Sequence, residues 1–224
     1  MYKWQDLLNI CVYCGCDLAD KATKEHAPPK AVFPKPRPGN LITVPCCSQH
    51  NSDGSADAEY FRVALCLSPR TRDDATVEKL KPVVARSFAR KEAEGWRQGI
   101  LYSIRPAGQL LSIDIDLKRI HKIVAQTVRC LYFREYGKRL PDGHEVTVVG
   151  DDFLDQFDPV ERQSFIDEIV RPLAMATPIE VVPGAFLYST LPPFREGVSL
   201  WGMCFYGALT FVAMTGRIKL GTSS

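Results

Sequence analysis

Two short pairs of metal-ligand side chains stand near the start of this chain: Cys11-Val-Tyr-Cys14, followed by Gly15, and Cys47-Ser-Gln-His50. Two residues between ligands let a tight turn present both side chains to one tetrahedral ion, and two such pairs complete a closed structural zinc site. The glycine after Cys14 suits the turn. Cys16 and Cys46 are alternatives; Cys46 with His50 would leave three residues between ligands, and Cys47 is preferred because it repeats the spacing of the first pair. Five of the eight cysteines fall in the first quarter of the chain with two of the four histidines, a distribution that points to metal rather than to a disulfide framework. Cys66, Cys130 and Cys204 stand alone in apolar surroundings and read as small core residues.

Between the two pairs runs Lys24-Glu25-His26-Ala-Pro-Pro-Lys30, then Gly39-Asn40-Leu41, and the second pair ends in His50-Asn51. This order resembles the HNH endonuclease family: an acidic residue before a histidine, an Asn-Leu pair ahead of the second knuckle, and an asparagine after its last ligand. The resemblance covers roughly residues 10–62 and is to the branch in which zinc knuckles flank a ββα-metal fold. It implies that His26 is the general base, a role for which neutral imidazole is suited. It implies that Glu25 and Asn51 hold a catalytic Mg²⁺ or Mn²⁺ through oxygen, and that Asn40 orients His26. Cys11, Cys14, Cys47 and His50 would hold the structural zinc.

Two positions depart from the family pattern. Glu25 stands where aspartate is commoner, which puts its carboxylate one methylene further out. His50 stands where cysteine is commoner, which leaves ligation of the catalytic metal as its alternative role. Asp53, Asp57 and Glu59 read as a solvated acidic helix start, with metal ligation the less favoured reading. Lys24, Lys30, Lys35 and Arg37, interleaved with prolines, suggest a stiff basic loop that contacts phosphates. His121 and His144 lack partners at ligand spacing and read as structural or exposed.

The elements that must position these groups are only partly periodic. Residues 2–10 read as a lead-in helix, and 11–51 show no long periodic segment. Such a stretch buries little apolar surface unaided, so a metal would hold it together. Ala56–Leu67 reads as a helix, and the polar run Ser68–Asp74 as a boundary between a module at 1–68 and a second unit at 75–224. In that second unit, residues 76–94 read as a basic amphipathic helix with Val77, Leu80, Val84 and Phe88 on one face. Its charged side, with Lys79, Lys81, Arg86, Arg90 and Lys91, reads as a solvated face, with phosphate contact the less favoured reading. Gly99–Ile104 reads as a strand, Asp116–Tyr136 as a long helix with Asp116 and Gly137 at its ends, and Glu145–Val149 as a strand. Helices near Asp151–Phe157 and Pro159–Ala176 follow. Strands at Ile179–Val182, Ala185–Ser189, Leu200–Tyr206 and Leu209–Met214 close the chain, with a turn at Gly207. The expected class is α+β: a small zinc-stabilised ββα-metal module followed by an α+β domain with an antiparallel sheet.

The 224 residues are 46% hydrophobic and 24% charged, an ordinary globular balance. Nothing near Met1 reads as a signal peptide and no apolar run reaches the roughly 18 residues of a membrane span, so a cytoplasmic protein without a membrane partner is expected. The net charge of +2 leaves no strong global footprint for nucleic acid, although a local patch fits inside a balanced total. The resemblance implies metal-dependent hydrolysis of phosphodiesters, with DNA the first expected substrate and RNA the second. The setting would be a defence or mobile-element nuclease, and a homodimer or successive nicks would make double-strand cuts. The rival reading is an inactive zinc module that binds nucleic acid or protein.

Overall fold

In the computed structural model, the described residues are 9–90, 94, 105–107, 110–112, 115–150 and 157–217. The expected strand at Gly99–Ile104 lies outside them, as do nearly all of the expected helices at 2–10 and at Asp151–Phe157.

The metal-ligand region folds as a hairpin followed by helices. Strand β1 (Thr23–Ala27) pairs antiparallel with β2 (Ile42–Cys46), His26 facing Thr43 and Glu25 facing Val44. The proline-rich segment between them is no tight turn. It folds back so that Val32 and Phe33 are buried in the core, and the Tyr206 hydroxyl donates to the Val32 carbonyl. Helix α1 (Ser48–Asp53) and helix α2 (Ser55–Leu67) follow β2 with a break at Gly54. A Cβ on Gly54 would stand 2.8 Å from the Gln126 Oε1, the end of a flexible side chain that would have to swing aside. Helix α2 buries Tyr60, Phe61, Val63, Ala64 and Leu65, nearly its whole circumference, as expected of a helix packed on several sides.

The expected helix at 76–94 is two helices. Asp74 accepts from Thr76 N and Val77 N to cap α3 (Ala75–Glu78), and α4 covers Lys81–Phe88 with Pro82 in its first turn. Pro82 has no N–H to continue the ladder onto Glu78, so the helix restarts there. The apolar face is as read: Val77, Leu80 and Val84 are buried. A two-stranded pair follows, β3 (Arg105–Ala107) and β4 (Leu110–Ser112).

Helix α5 (Leu117–Tyr136) matches its reading at both ends. The Asp116 side chain accepts from Lys118 N, and Gly137 at φ 63 closes the last turn with its N–H on Phe133 O. Beyond α5 comes β5 (Glu145–Gly150). The helical stretch near 159–175 consists of α6 (Pro159–Phe165), one π turn at Ile166–Val170, and α7 (Arg171–Met175). Strands β6 (Ile179–Val182), β7 (Phe186–Thr190), β8 (Ser199–Phe205) and β9 (Leu209–Gly216) complete a five-stranded antiparallel sheet ordered β5-β9-β8-β7-β6.

Alternation along β8 sorts its side chains between two layers. Trp201, Met203 and Phe205 join the main core, where Phe205 meets Phe61 of α2 edge-on at 5.1 Å and Trp201 meets Tyr136 of α5 at 5.9 Å. Gly202 turns the other way, with Leu173 of α7 at 3.8 Å from the position of an added Cβ. The sheet therefore carries α2 and α5 on one face and the 159–175 helices on the other. The apolar core runs without interruption from Val12, Phe33 and Val44 through α2 and α5 to the sheet, across the 68–74 segment. Among the described residues, no helix is long and apolar enough to cross a membrane.

Candidate functional site

The first ligand pair sits on a turn that the backbone closes tightly. Gly15 at φ 71 donates its N–H to Cys11 O at 2.8 Å, and Cys11 N donates to Cys16 O at 2.9 Å. The left-handed position favours glycine, which explains the residue after Cys14. Val12 N donates to Pro45 O at 3.1 Å and so lays the turn against β2. The second pair comes from the first turn of α1, where Cys47 is the N-cap.

Together these turns bring one ligand atom each from Cys11, Cys14, Cys47 and His50 within 4.8 Å of one another, a group able to hold a metal ion such as zinc. The Cys11 and Cys47 sulfurs are 3.7 Å apart, and His50 Nδ1 is 3.0 Å from the Cys47 Sγ and 3.8 Å from that of Cys11. Zn–S bonds of about 2.3 Å put two sulfurs of a tetrahedral ion roughly 3.8 Å apart, which the Cys11–Cys47 pair matches, while His50 Nδ1 would move out by about 0.5 Å from the Cys47 Sγ. Burial opposes the Cys11 thiolate, but backbone N–H groups of Cys14, Cys47 and Tyr13 outweigh it and hold the thiol at about 6. Cys46 is buried with its thiol directed at the Cys47 carbonyl, and burial pushes its pKa up. Neither it nor the exposed Cys16 belongs to the group.

A cavity of about 270 Å³ lies between the hairpin, the α1–α2 break and α5. Glu25, His26 and Asn51 all line it, and so do Lys24 and Lys30. The Glu25 Oε1 accepts from the His26 backbone N–H at 3.1 Å. Burial raises the Glu25 carboxyl. Burial also lowers the His26 imidazole, helped by the charges of Lys30, Arg37 and Lys24, and this favours the neutral ring.

Asn40 is elsewhere. Its amide donates to the Val181 carbonyl of β6 and ties the hairpin loop to the large sheet, so it does not hold His26. Lys35 and Arg37 are exposed on that loop, away from the cavity lining. The acidic residues of α2 are not a solvated helix start either. Asp57 accepts from Arg119 Nε at 2.7 Å and from Lys122 Nζ at 2.8 Å, and Glu59 pairs with Arg62 at 2.9 Å and takes the Ser87 hydroxyl. Asp53 is solvated, but it ends α1 rather than starting a helix.

Several residues around the two sites carry no local sequence signal. Gln126 and Ile123 of α5 form the back wall of the His26 cavity. The Tyr13 ring lies 5.4 Å from that of His50, its hydroxyl 3.4 Å from the Cys130 sulfur, and Arg139 donates to Tyr13 O at 3.4 Å. Compared with protein-family models, with curated proteins and with solved structures, the chain matches none.

Proposed function

We propose that residues 10–62 are an HNH-type nuclease module that hydrolyses phosphodiesters in nucleic acid, DNA first. The observation that carries this reading is the shared cavity: the neighbouring Glu25 and His26 of β1 and the distant Asn51 of α1 line one cleft beside the Cys/His group. The hairpin followed by α1 and α2 has the order a ββα-metal unit needs.

In this reading a neutral His26 takes the proton of the attacking water at its unprotonated ring nitrogen. The Glu25 carboxylate and the Asn51 side-chain oxygen offer two hard oxygen donors, which suits Mg²⁺ or Mn²⁺ with waters completing the shell. When bound, such an ion polarises the scissile phosphate and stabilises the leaving 3′ oxygen. Lys24 and Lys30 draw the phosphate backbone to the cleft. Zinc at Cys11, Cys14, Cys47 and His50 does no chemistry; it fixes the knuckle turn to α1, and with it Asn51, the residue next to a ligand. Asn40 acts as a structural tie in this account, so the orientation of His26 falls to its strand.

The second reading, a zinc module that binds nucleic acid without cutting it, is favoured by one observation: Asn40 is committed to Val181 and leaves His26 without that partner. Plasmid nicking with added Mg²⁺ or Mn²⁺ separates the two readings, because a binder tolerates His26→Ala.

A further inference from the structure

A second cavity, of about 460 Å³, opens beside the metal group. His50 bounds it on one side, Lys122, Gln126 and Arg129 of α5 on another, and the turn from Arg139 to His144 on the third. Nothing in the proposed chemistry uses it.

Arg129 singles this cavity out. It is half-buried, and the Glu145 carboxylate reaches it through charge without a salt bridge being formed between them. Its guanidinium donates to the His144 carbonyl at 3.3 Å, a long bond for a group with five N–H donors. A cation taken partly out of water with no carboxylate in direct contact is costly, and an entering oxyanion would supply that contact. The rest of the lining agrees. Lys122, Arg129 and Arg139 face the cavity against one carboxylate, Asp142, which Arg139 already grips at 2.8 and 2.9 Å. Lys122 is likewise held by Asp57, with its ammonium still half-exposed.

Continuity identifies the oxyanion. Gln126 lines both this cavity and the His26 cleft, so the two lie side by side along α5. A polyanion seated at His26 meets the basic cavity next; a free anion has no need of both. We propose that the cavity beside His50 seats a backbone phosphate of the nucleic-acid strand that enters the His26 cleft, with Arg129 as the principal contact. The inference rests on reading the His26 cleft as a nucleic-acid site. It gives the second part of the chain a role: α5 and the turn after it form a phosphate track alongside the module.

The test is fluorescence anisotropy of a labelled single-stranded oligonucleotide, with zinc-loaded full-length protein carrying His26→Ala and no added divalent ion. Arg129→Gln is expected to weaken binding about tenfold and to flatten the log–log salt dependence by about 0.7, the increment for one phosphate contact on a single strand. Lys122→Gln, at a half-exposed position and with its fold checked by thermal unfolding because Asp57 holds the same ammonium, should weaken binding about threefold. Arg171→Gln, on the opposite face of the sheet and paired with Asp167, is the charge-matched control and should change neither quantity. Equal losses in all three variants, or no loss in the first two, would overturn the proposal. So would Arg129-dependent binding of inorganic phosphate by calorimetry without Arg129-dependent strand binding. The outcome separates from that of the nuclease reading: Arg129-dependent strand binding in a protein that never cuts supports the track and removes the nuclease. His26-dependent cutting with an unaltered Arg129→Gln salt slope does the reverse.

Discussion

The Asp57 carboxylate of α2 accepts from Arg119 Nε of α5 at 2.7 Å, and the same guanidinium lies 4.4 Å over the Tyr60 ring. With Lys122 on its other oxygen, Asp57 fastens the helix that follows the hairpin to the helix that backs both cavities. Asp57→Asn should therefore destabilise the fold by about 2 kcal/mol, as expected for hydrogen bonds to a mostly buried charged group. The pH dependence follows from the same geometry. Burial works against the ionised carboxylate, but hydrogen bonds from Lys122 and Arg119 outweigh it and lower the carboxyl below its ordinary 3.8. The contribution is present in full above that ordinary value and fades as pH falls through the lowered one. Urea unfolding of wild type and Asp57→Asn should show a gap at pH 7 that narrows as the solution is acidified below about 4.

Metal analysis should find one zinc per chain. Cys14→Ser or Cys47→Ser should lose it, whereas Cys16→Ser and Cys46→Ala should keep it, since neither sulfur belongs to the four-ligand group. Because Val12, Val32, Phe33 and Val44 pack the hairpin into the main core, chelation should loosen only the ligand turns, read as loss of amide-exchange protection near Cys11–Cys16 and in α1. Zinc retained in Cys47→Ser and lost in Cys46→Ala would reverse the ligand choice.

Gly137→Ala should cost about 1 kcal/mol, the usual penalty for a Cβ at a left-handed helix end. Gly137 sits at φ 63, and its N–H closes the last turn of α5 on Phe133 O. Thermal unfolding reads the loss directly, and an unchanged midpoint would contradict it.

Asn40→Ala should lower stability by about 1 kcal/mol, the worth of one hydrogen bond, because the amide joins the hairpin loop to β6. An asparagine that oriented His26 would behave otherwise, with the loss appearing in cutting rate at unchanged stability. Denaturant unfolding paired with single-turnover cutting distinguishes the two.

What the sequence made legible was local. The four residues of the Cys/His group that could hold a metal are named by spacing alone, and helix α5 by its periodicity and its two end residues. The strands of the large sheet were readable to within a residue or two, most clearly β8 and β9, where burial alternates along much of the strand. The break before Pro82 was hidden by an apolar face that continues across it. Asn40 was misplaced for a different reason: its partner lies 141 residues away, on β6. Asp57 looked like a helix-start acid because its two cations come from another helix. The walls of both cavities were equally out of reach, since Gln126 and Arg129 acquire meaning only when α5 packs against the hairpin.

The central claim is that His26 cuts. Supercoiled plasmid should be mixed with zinc-loaded wild type and with His26→Ala, each with Mg²⁺ or Mn²⁺, with zinc content and folding checked in both proteins. The account predicts metal-dependent conversion to open-circular or linear DNA by the wild type, slowed by at least about a hundredfold in the variant, as for loss of a general base. Equal cutting by the two proteins, or no cutting by either across these ions and across single-stranded DNA and RNA, would contradict it.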